Sequence, residues 1–319
     1  MILSRRDFGK AALGAAAAAR LLAAKPNSNF GGVQIGAITY SFRALPSSAE
    51  QVLQYCIDCG ISAIELMSSV AESYAGAPAG PQRQGKGKAK GGDSPTPPQS
   101  GQNLKEWRIS ASMDKYKAFR KMYEDAGVKI YAFKLPPTMG MSDKEYEYIW
   151  NVASTLGANH ITMELPTDDA LIDRVAKFAA ARKLRIAFHT HGQGGSSGFE
   201  KVLSASPYTA LNLDVGHYFG VTGESPVPII EKYHERIASL HLKDRKSPNA
   251  PDGKTGPRGG GPNAPWGEGG TPLTEILQLM KKRKYKFPGS IEYEYNTPEG
   301  SDVLTEVKKC VAYCKKALA

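Results

Sequence analysis

Side chains that suit metal binding and proton transfer stand at the ends of several apolar runs in this sequence. The run LNLDVGHYFG, which begins at residue 211, passes from apolar residues to Asp214 and His217. Other runs end in the same way, at Glu65, Lys134, Glu164, His189 with His191, His241 with Asp244, and Glu292 with Glu294. These residue types are uncommon inside strands. A convergent set of them is hard to explain by packing, because burying unpaired charges is costly.

The residue types predict a site for a divalent cation. Carboxylates with one imidazole favour Mn, Mg or Co, and additional imidazoles favour Zn or Fe. A cation that keeps two open positions chelates adjacent oxygens of a sugar, polarises a carbonyl and stabilises an enediolate. Glutamates on opposite sides of the substrate then move the proton. We therefore expect Asp214 to bind one divalent cation (Mn, Mg, Co or Zn) and His217, on the following turn, to contact the substrate.

The elements that must position these side chains alternate regularly along the chain. Amphipathic helical patterns separate eight apolar runs, which predict strands at residues 33–39, 62–66, 128–134, 160–165, 184–190, 209–214, 237–242 and 289–294. Eight such repeats, with strands apolar on both faces, indicate an α/β fold, a single (β/α)8 TIM barrel. Catalytic groups of this fold lie at the C-terminal ends of the strands. A doubly wound open sheet is disfavoured, because TYSFRALP replaces the expected glycine fingerprint after the first strand.

Two long segments rich in Gly and Pro interrupt the alternation. Residues 75–102 follow the second predicted strand, and residues 245–266 follow the seventh. Their composition predicts flexible insertions. Because both follow strands, they belong at the C-terminal face, where a lid is one interpretation and a spacer without a role is the alternative for the first. Trp266 and the GEG that follows it predict that part of the second insertion folds.

The N-terminus predicts export of the protein. Residues 1–24 contain SRRDFGK followed by AALGAAAAARLLAA, which is similar to a twin-arginine signal peptide. The apolar part is too short to span a bilayer, so no stable membrane insertion is expected. The interpretation is therefore a periplasmic or extracellular protein with a catalytic domain at residues 25–319. The alternative is a chance basic start on a cytosolic enzyme.

The positive charge does not indicate a nucleic-acid-binding face. The net charge is +10, but residues 1–24, 75–102 and 245–266 each carry a net +3, which leaves about +1 for the rest of the chain. The excess thus lies in a signal peptide and two insertions. We therefore expect no nucleic-acid partner.

The cysteines occur in two pairs within predicted helices. They are Cys56 with Cys59 and Cys310 with Cys314. Such spacings suit zinc or disulfides, but buried thiols that pack as small apolar groups are commoner. We therefore expect packing rather than disulfides.

The motifs DVGH, HLKD and IEYE, together with ELP, FHTHG and WGEGG, resemble the xylose-isomerase-like sugar phosphate isomerase/epimerase superfamily. That superfamily also contains inosose dehydratases, ketose 3-epimerases and apurinic endonucleases. The resemblance covers residues 33–319 and is not specific for a substrate. It implies that Asp214 and His241 bind the metal, that Glu292 is a ligand able to act as acid or base, and that His217 contacts the substrate.

One position departs from the superfamily pattern. The fourth ligand there is usually a Glu at the end of the fifth strand, where this sequence has His189. Either His189 replaces the carboxylate, or Glu164 from the fourth strand reaches the metal. We favour Glu164, because a carboxylate preserves both the charge and the acid/base role. Asp244 is expected to orient the metal-binding imidazole or to bind Lys243.

Three further side chains are expected at the substrate. His191 shares a strand face with the preceding histidine if the fifth strand continues. Lys134 suits a carboxylate or carbonyl oxygen of the substrate, and a solvated lysine is the alternative. Glu294 shares a face with Glu292, so the choice between them as metal ligand stays open.

These expectations predict a divalent-metal-dependent isomerase or epimerase that abstracts a proton next to a carbonyl of a sugar or keto-sugar. Export favours an unphosphorylated or oxidised sugar as the small-molecule partner. The first alternative is a lyase or dehydratase on a keto-sugar or keto-glycoside, because the same site can expel a β-leaving group. An apurinic endonuclease would need additional His ligands where Glu65 and Lys134 stand. A non-enzymatic sugar-binding barrel is the last alternative, and a homo-oligomer is compatible with each of them.

Overall fold

The computed structural model describes residues 25–78, 98–191, 196–250, 255–256 and 259–319. Eight parallel strands form a closed barrel, in which each strand pairs with the next and the last pairs with the first. The strands are β1 Val33–Ile38, β2 Ala63–Met67, β3 Lys129–Lys134, β4 His160–Glu164, β5 Arg185–His189, β6 Thr209–Asp214, β7 Ile237–Leu242 and β8 Gly289–Ile291. The predicted (β/α)8 barrel is confirmed.

Helices lie between the strands and cover the outside of the barrel. They are α1 Ala49–Asp58, α2 Ser68–Ala75, α3 Pro98–Ser110, α4 Asp114–Asp125, α5 Asp143–Leu156, α6 Asp169–Arg182, α7 Ser196–Ser204, α8 Val215–Thr222, α9 Val227–Tyr233, α10 Leu273–Arg283 and α11 Val303–Ala317. Ser48 and Ser142 form capping boxes at the starts of α1 and α5, which satisfies free backbone N–H groups there. No helix in the described part of the chain combines the length and apolar character needed to cross a bilayer.

Alternation along the strands separates an apolar outer layer from a polar interior. Ile186 and Phe188 of β5 are buried in the main core beneath the helices. Between them Ala187 clusters with small residues of β6 and β7 inside the barrel, and the next residue on that face is His189. The same alternation places the polar residues of the other strand ends inside the barrel mouth. The four cysteines are buried free thiols between the layers, in accord with the packing interpretation.

The two insertions differ in how much of them is described. The predicted signal at residues 1–24 and residues 79–97 of the first insertion lie outside the described residues. The second insertion, predicted to be flexible from residue 245, has a folded base. There Asp244–Arg245 pairs antiparallel with Asn263–Ala264, and the fully buried Arg245 donates from Nε to the Gly261 carbonyl at 2.8 Å.

A buried ion pair anchors the helix that follows the first insertion. Arg108 of α3 donates to both carboxylate oxygens of Glu72, at 2.7 and 3.1 Å. The Tyr148 hydroxyl donates to the same carboxylate at 3.0 Å. The side chains of Arg108 and Glu72 are only 11% and 8% exposed. Loss of one partner of such a pair leaves an uncompensated buried charge, which costs about 3–5 kcal/mol.

We expect Arg108→Ala to lower the free energy of unfolding by about 3 kcal/mol, measured by urea titration. Arg120→Ala is the matched control. Arg120 pairs with Glu124 on the same face of α4, and their side chains are 42% and 49% exposed. Exposed pairs contribute less than about 1 kcal/mol. Equal losses in the two variants would contradict the anchoring role of Arg108.

Candidate active site

Four buried side chains converge at the C-terminal end of the barrel. They are His189 of β5, Asp214 of β6, His241 of β7 and Glu292, which directly follows β8. One ligand atom from each lies within 4.8 Å of those of the other three. The strand register contributes to this, because Asp214 lies directly beside His241 in the pairing of β6 with β7. Two carboxylates and two imidazoles therefore face one point.

Asn212 fixes the orientation of the His189 ring. Nδ1 of His189 lies 2.7 Å from Asn212 Oδ1, and the Asn212 amide nitrogen donates to Ser239 Oγ at 2.6 Å. The amide oxygen is thus an acceptor, so Nδ1 of His189 carries the proton and Nε2 keeps its lone pair. That nitrogen lies 3.8 Å from Asp214 Oδ2. Burial lowers the pKa of His189 well below its usual value, so the ring offers a neutral nitrogen ligand.

The ring of His241 lies between two glutamates. Its Nδ1 is 2.6 Å from Glu292 Oε2, and its Nε2 is 2.7 Å from Glu65 Oε2. Burial opposes the charged ring, but the two carboxylates raise the pKa of His241 to about 10. If His241 held a metal ion through Nδ1, the ion would replace the proton there, and Glu65 would accept the remaining proton of the ring.

Glu65 is a site residue for which no role was predicted from the sequence. It is fully buried on β2, accepts from Thr162 Oγ1 at 2.7 Å and also contacts the Asn212 amide. Contacts from β4 and β6 therefore fix the carboxylate that orients His241. The signal in the sequence was its position at a strand end, but only the closed barrel shows that it faces His241.

Lys243 joins the carboxylates of the site. Its ammonium nitrogen lies 2.9 Å from Asp214 Oδ2, 2.9 Å from Glu292 Oε2 and 2.7 Å from Glu294 Oε2. Gly216 makes room for this side chain, since a Cβ there would overlap with Lys243 Cγ and lie 2.5 Å from its carbonyl oxygen. The DVGH and HLKD motifs are therefore coupled by packing as well as by chemistry.

Glu164 lies beside the four-residue group rather than within it. Its Oε1 is 3.1 Å from Lys134 Nζ and its Oε2 is 2.8 Å from His191 Nδ1. Burial raises the pKa of Glu164, but the contacts with His191 and Lys134 outweigh it and lower that pKa to about 2. Glu164 is also close enough to His189 and His191 for a ligand atom from each to lie within 4.8 Å. The carboxylate is thus ionised and orients the His191 ring.

Arg245 fixes the ring of His217 at the edge of the site. The guanidinium donates from Nη1 to His217 Nδ1 at 2.6 Å, so the proton of the ring lies on Nε2. That nitrogen is 3.9 Å from Glu294 Oε2, and the ring centre is 4.6 Å from that of His191. Burial lowers the pKa of His217 far below its usual value. His217 is therefore a neutral donor that points toward the groups expected at the substrate.

Asp244 has a different position from the one expected. Its carboxylate accepts the backbone N–H groups of Gly267, Gly269 and Thr271 at 2.8, 3.0 and 3.1 Å. It therefore holds the WGEGG loop against the barrel mouth, instead of orienting His241 or binding Lys243.

The charges of the site fit a divalent cation. Five carboxylates lie here, those of Glu65, Glu164, Asp214, Glu292 and Glu294. Among the described residues, the cationic side chains beside them are Lys134, Lys243 and Arg245. If an ion replaced the proton of His241, so that all the imidazoles were neutral, two negative charges would remain for one divalent ion to neutralise. The donor set of two carboxylates and two imidazoles suits such an ion. Lys243 contacts two of the ligand oxygens, but each carboxylate oxygen offers a further lone pair.

Comparison with known proteins agrees with this geometry. A family model described as xylose isomerase-like TIM barrel matches residues 95–312. The chain belongs to this family. An inosose dehydratase of Clostridium botulinum is 35% identical over 78 residues, which are 23% of this chain and 26% of that relative. The chain thus matches about a quarter of the length of this curated relative.

Several solved structures share the fold over nearly the whole chain. A probable 3-DHS dehydratase of Bacillus anthracis superposes with a TM-score of 0.59 at 16% identity, over 88% of this chain and 98% of that one. A 3-keto-D-glucoside 4-epimerase of E. coli gives 0.55 at 10% identity, over 89% and 99%. Proteins that share this fold therefore include an epimerase and a probable dehydratase, and identities this low show the fold alone.

Proposed function

We propose that this protein is a metal-dependent isomerase or epimerase that abstracts a proton next to the carbonyl of a sugar or keto-sugar. The observation that carries the proposal is the convergence of ligand atoms from His189, Asp214, His241 and Glu292 within 4.8 Å of one another at the barrel mouth. A divalent ion held by these groups would polarise the substrate carbonyl and stabilise the enediolate. The match to the xylose isomerase-like family and the fold shared with a 3-keto-D-glucoside 4-epimerase support this reaction class.

The groups proposed to transfer protons, Glu292 and the Glu164–His191 pair, lie on opposite sides of the barrel. Glu292 follows β8 and Glu164 ends β4, and these strands are four positions apart in a ring of eight. Burial raises the pKa of Glu292, but Lys243 and His241 outweigh it and hold that pKa well below its usual range. Glu292 is therefore ionised, as a general base must be before it accepts a proton. On the other side, Glu164 orients His191, whose Nε2 exchanges the second proton.

The proposal is tested by incubating the metal-loaded protein with unphosphorylated keto-sugars in deuterated water. We expect deuterium at the carbon next to the carbonyl and an isomerised or epimerised product of unchanged chemical composition, observed by NMR and mass spectrometry. Glu292→Gln should lower the exchange rate by about 10²-fold or more. An absence of exchange with every keto-sugar would favour a non-enzymatic sugar-binding barrel.

A lyase or dehydratase is the second candidate, and the asymmetry of the site favours it. One wall offers a carboxylate, Glu292, whereas the other offers the imidazole of His191 held by Glu164. Such a pair suits abstraction of a proton on one side and protonation of a leaving group on the other. The 78-residue similarity to an inosose dehydratase points the same way. A product lighter by one water, or a cleaved glycoside, would establish this candidate instead.

A further inference from the structure

A large cavity lies at the end of the barrel opposite the candidate active site. Its volume is about 890 Å³, within the range of about 300–1,000 Å³ that holds small ligands. Its lining includes Arg185 and Ile237, which begin β5 and β7, and Pro288, which precedes β8. These are the N-terminal ends of β5, β7 and β8. The opposite ends of the same strands carry His189, His241 and Glu292 of the candidate site. The cavity is therefore separate from the active site.

Positive charge accumulates around this cavity. Four of its cationic side chains form no ion pair within the described part of the chain: Lys183, Arg185, Lys284 and Lys286. Of the two lining carboxylates, Glu231 is already bound by Arg283 at 2.8 Å. Burial and then the charge of Arg185 lower the pKa of the nearby Arg236 guanidinium. The cavity thus presents more positive charge than its own acids neutralise.

Two of these lysines occupy backbone positions that normally favour glycine. Lys183 and Lys284 end α6 and α10 with φ of 49° and 56°, and they are the non-glycine residues with positive φ in the described chain. The helices α2, α5 and α8 use Gly76, Gly157 and Gly223 for the same left-handed cap. A residue with a Cβ is less favourable there. A cation at a helix C-terminus is favourable, but both exceptions border one cavity, which indicates a role for their side chains.

A rigid aromatic wall stands beside these cations. The ring of His234 stacks on Tyr285 at 5.2 Å, and Tyr285 stacks on Phe287 at 5.1 Å. All three residues line the cavity. Cations next to an apolar wall form a site in which an anion is held with part of its surface away from water.

We propose that this cavity binds a small anion that carries two or more carboxylate or phosphate groups. Several cations around one concave space favour a compact multivalent anion over a single charge. The helix C-termini at this face carry partial negative charge, so binding depends on the side chains of Lys183, Arg185 and Lys284. The site is independent of the reaction at the other end of the barrel.

Isothermal titration calorimetry of the purified full-length chain tests this proposal. Tricarballylate is the carboxylate probe and inorganic pyrophosphate is the phosphate probe. The test variant is Lys183→Gly with Lys284→Gly, which removes two charges at positions where glycine is conformationally favoured, so the melting temperature should not fall. The matched control is Lys177→Gln with Lys282→Gln, which removes the same charge from exposed positions of the same two helices.

We expect at least one probe to bind, and the Lys183→Gly/Lys284→Gly variant to weaken that binding by at least tenfold while the control changes it by less than twofold. Tighter binding of one probe than of the other assigns the carboxylate or the phosphate chemistry. Absence of heat with both probes at low salt overturns the proposal. It is also overturned if the test and control variants weaken binding equally, because the effect would then reflect net charge alone.

Discussion

Asp214→Asn is expected to abolish binding of the proposed divalent ion and to lower kcat/KM by about 10³-fold. A divalent ion held there would supply several kcal/mol of charge stabilisation in the transition state, which corresponds to about three powers of ten in rate. The fold should remain, because the Asp214 Oδ1 that accepts from the His217 backbone N–H at 2.7 Å and caps α8 has an equivalent oxygen in asparagine. The measurements are ions per chain by elemental mass spectrometry and the melting temperature.

The control for this substitution is Asp302→Asn. Asp302 caps α11 through the Thr305 N–H at 2.8 Å, is exposed, and is not one of the four converging residues. We expect it to leave both the ion content and the activity unchanged. A full complement of metal in Asp214→Asn would exclude Asp214 as a ligand. If the wild-type chain bound no ion after reconstitution with Mn, Co or Zn, the metal-dependent mechanism itself would be contradicted.

The sequence predicted the barrel because eight apolar runs alternate with amphipathic helical patterns, but it did not indicate the helix α8. The segment after β6, which forms α8, contains Gly216 and Gly220 and has low helix propensity. In the folded chain both glycines are packing positions. Gly216 lies against Lys243, and a Cβ at Gly220 would lie 2.8 Å from Arg245 Nε. Tertiary contacts therefore decide this helix, and no local pattern indicates them.

Part of the candidate site also depends on tertiary contacts and was therefore not predicted from the sequence. Strand ends predicted which polar residues would gather, since register and alternation bring them to one end of the barrel. The positions of Lys243 and Arg245 depend instead on close contact with α8 and on the pairing with residues 263–264. Arg245 was accordingly assigned to a flexible segment. Such contacts join residues that are distant in the chain, so their geometry was not predictable from spacing.

His189 and Glu164 illustrate a choice that the sequence left open. They are direct partners in the register of β4 with β5, so both reach the same edge of the barrel and strand position alone does not separate them. The hydrogen bond from His189 to Asn212 distinguishes them, because it leaves the lone pair on Nε2, which lies 3.8 Å from Asp214 Oδ2. Glu164 is meanwhile held by Lys134 and His191. We therefore propose His189 as the fourth ligand and Glu164 as an acid/base partner.

Two substitutions separate these roles. His189→Ala is expected to weaken metal binding by more than about 100-fold, since even the loss of a group that only orients a ligand weakens binding by about 10–100-fold. Glu164→Gln should keep the metal affinity within about threefold but lower kcat by about 10²-fold, because the amide no longer orients His191 as an ionised partner. Metal affinity is measured by calorimetric titration with Mn or Co, and kcat by the deuterium-exchange rate.

His234→Ala provides the matched histidine control, because His234 is exposed and its Nδ1 contacts only the Glu231 backbone carbonyl, at 2.8 Å, among its described hydrogen bonds. It should change neither quantity, and melting temperatures identify any variant that fails to fold. The reverse pattern, with metal lost in Glu164→Gln and kept in His189→Ala, would make Glu164 the fourth ligand. The site would then retain the carboxylate chemistry of its superfamily, with His189 reduced to a buried neighbour of Asn212.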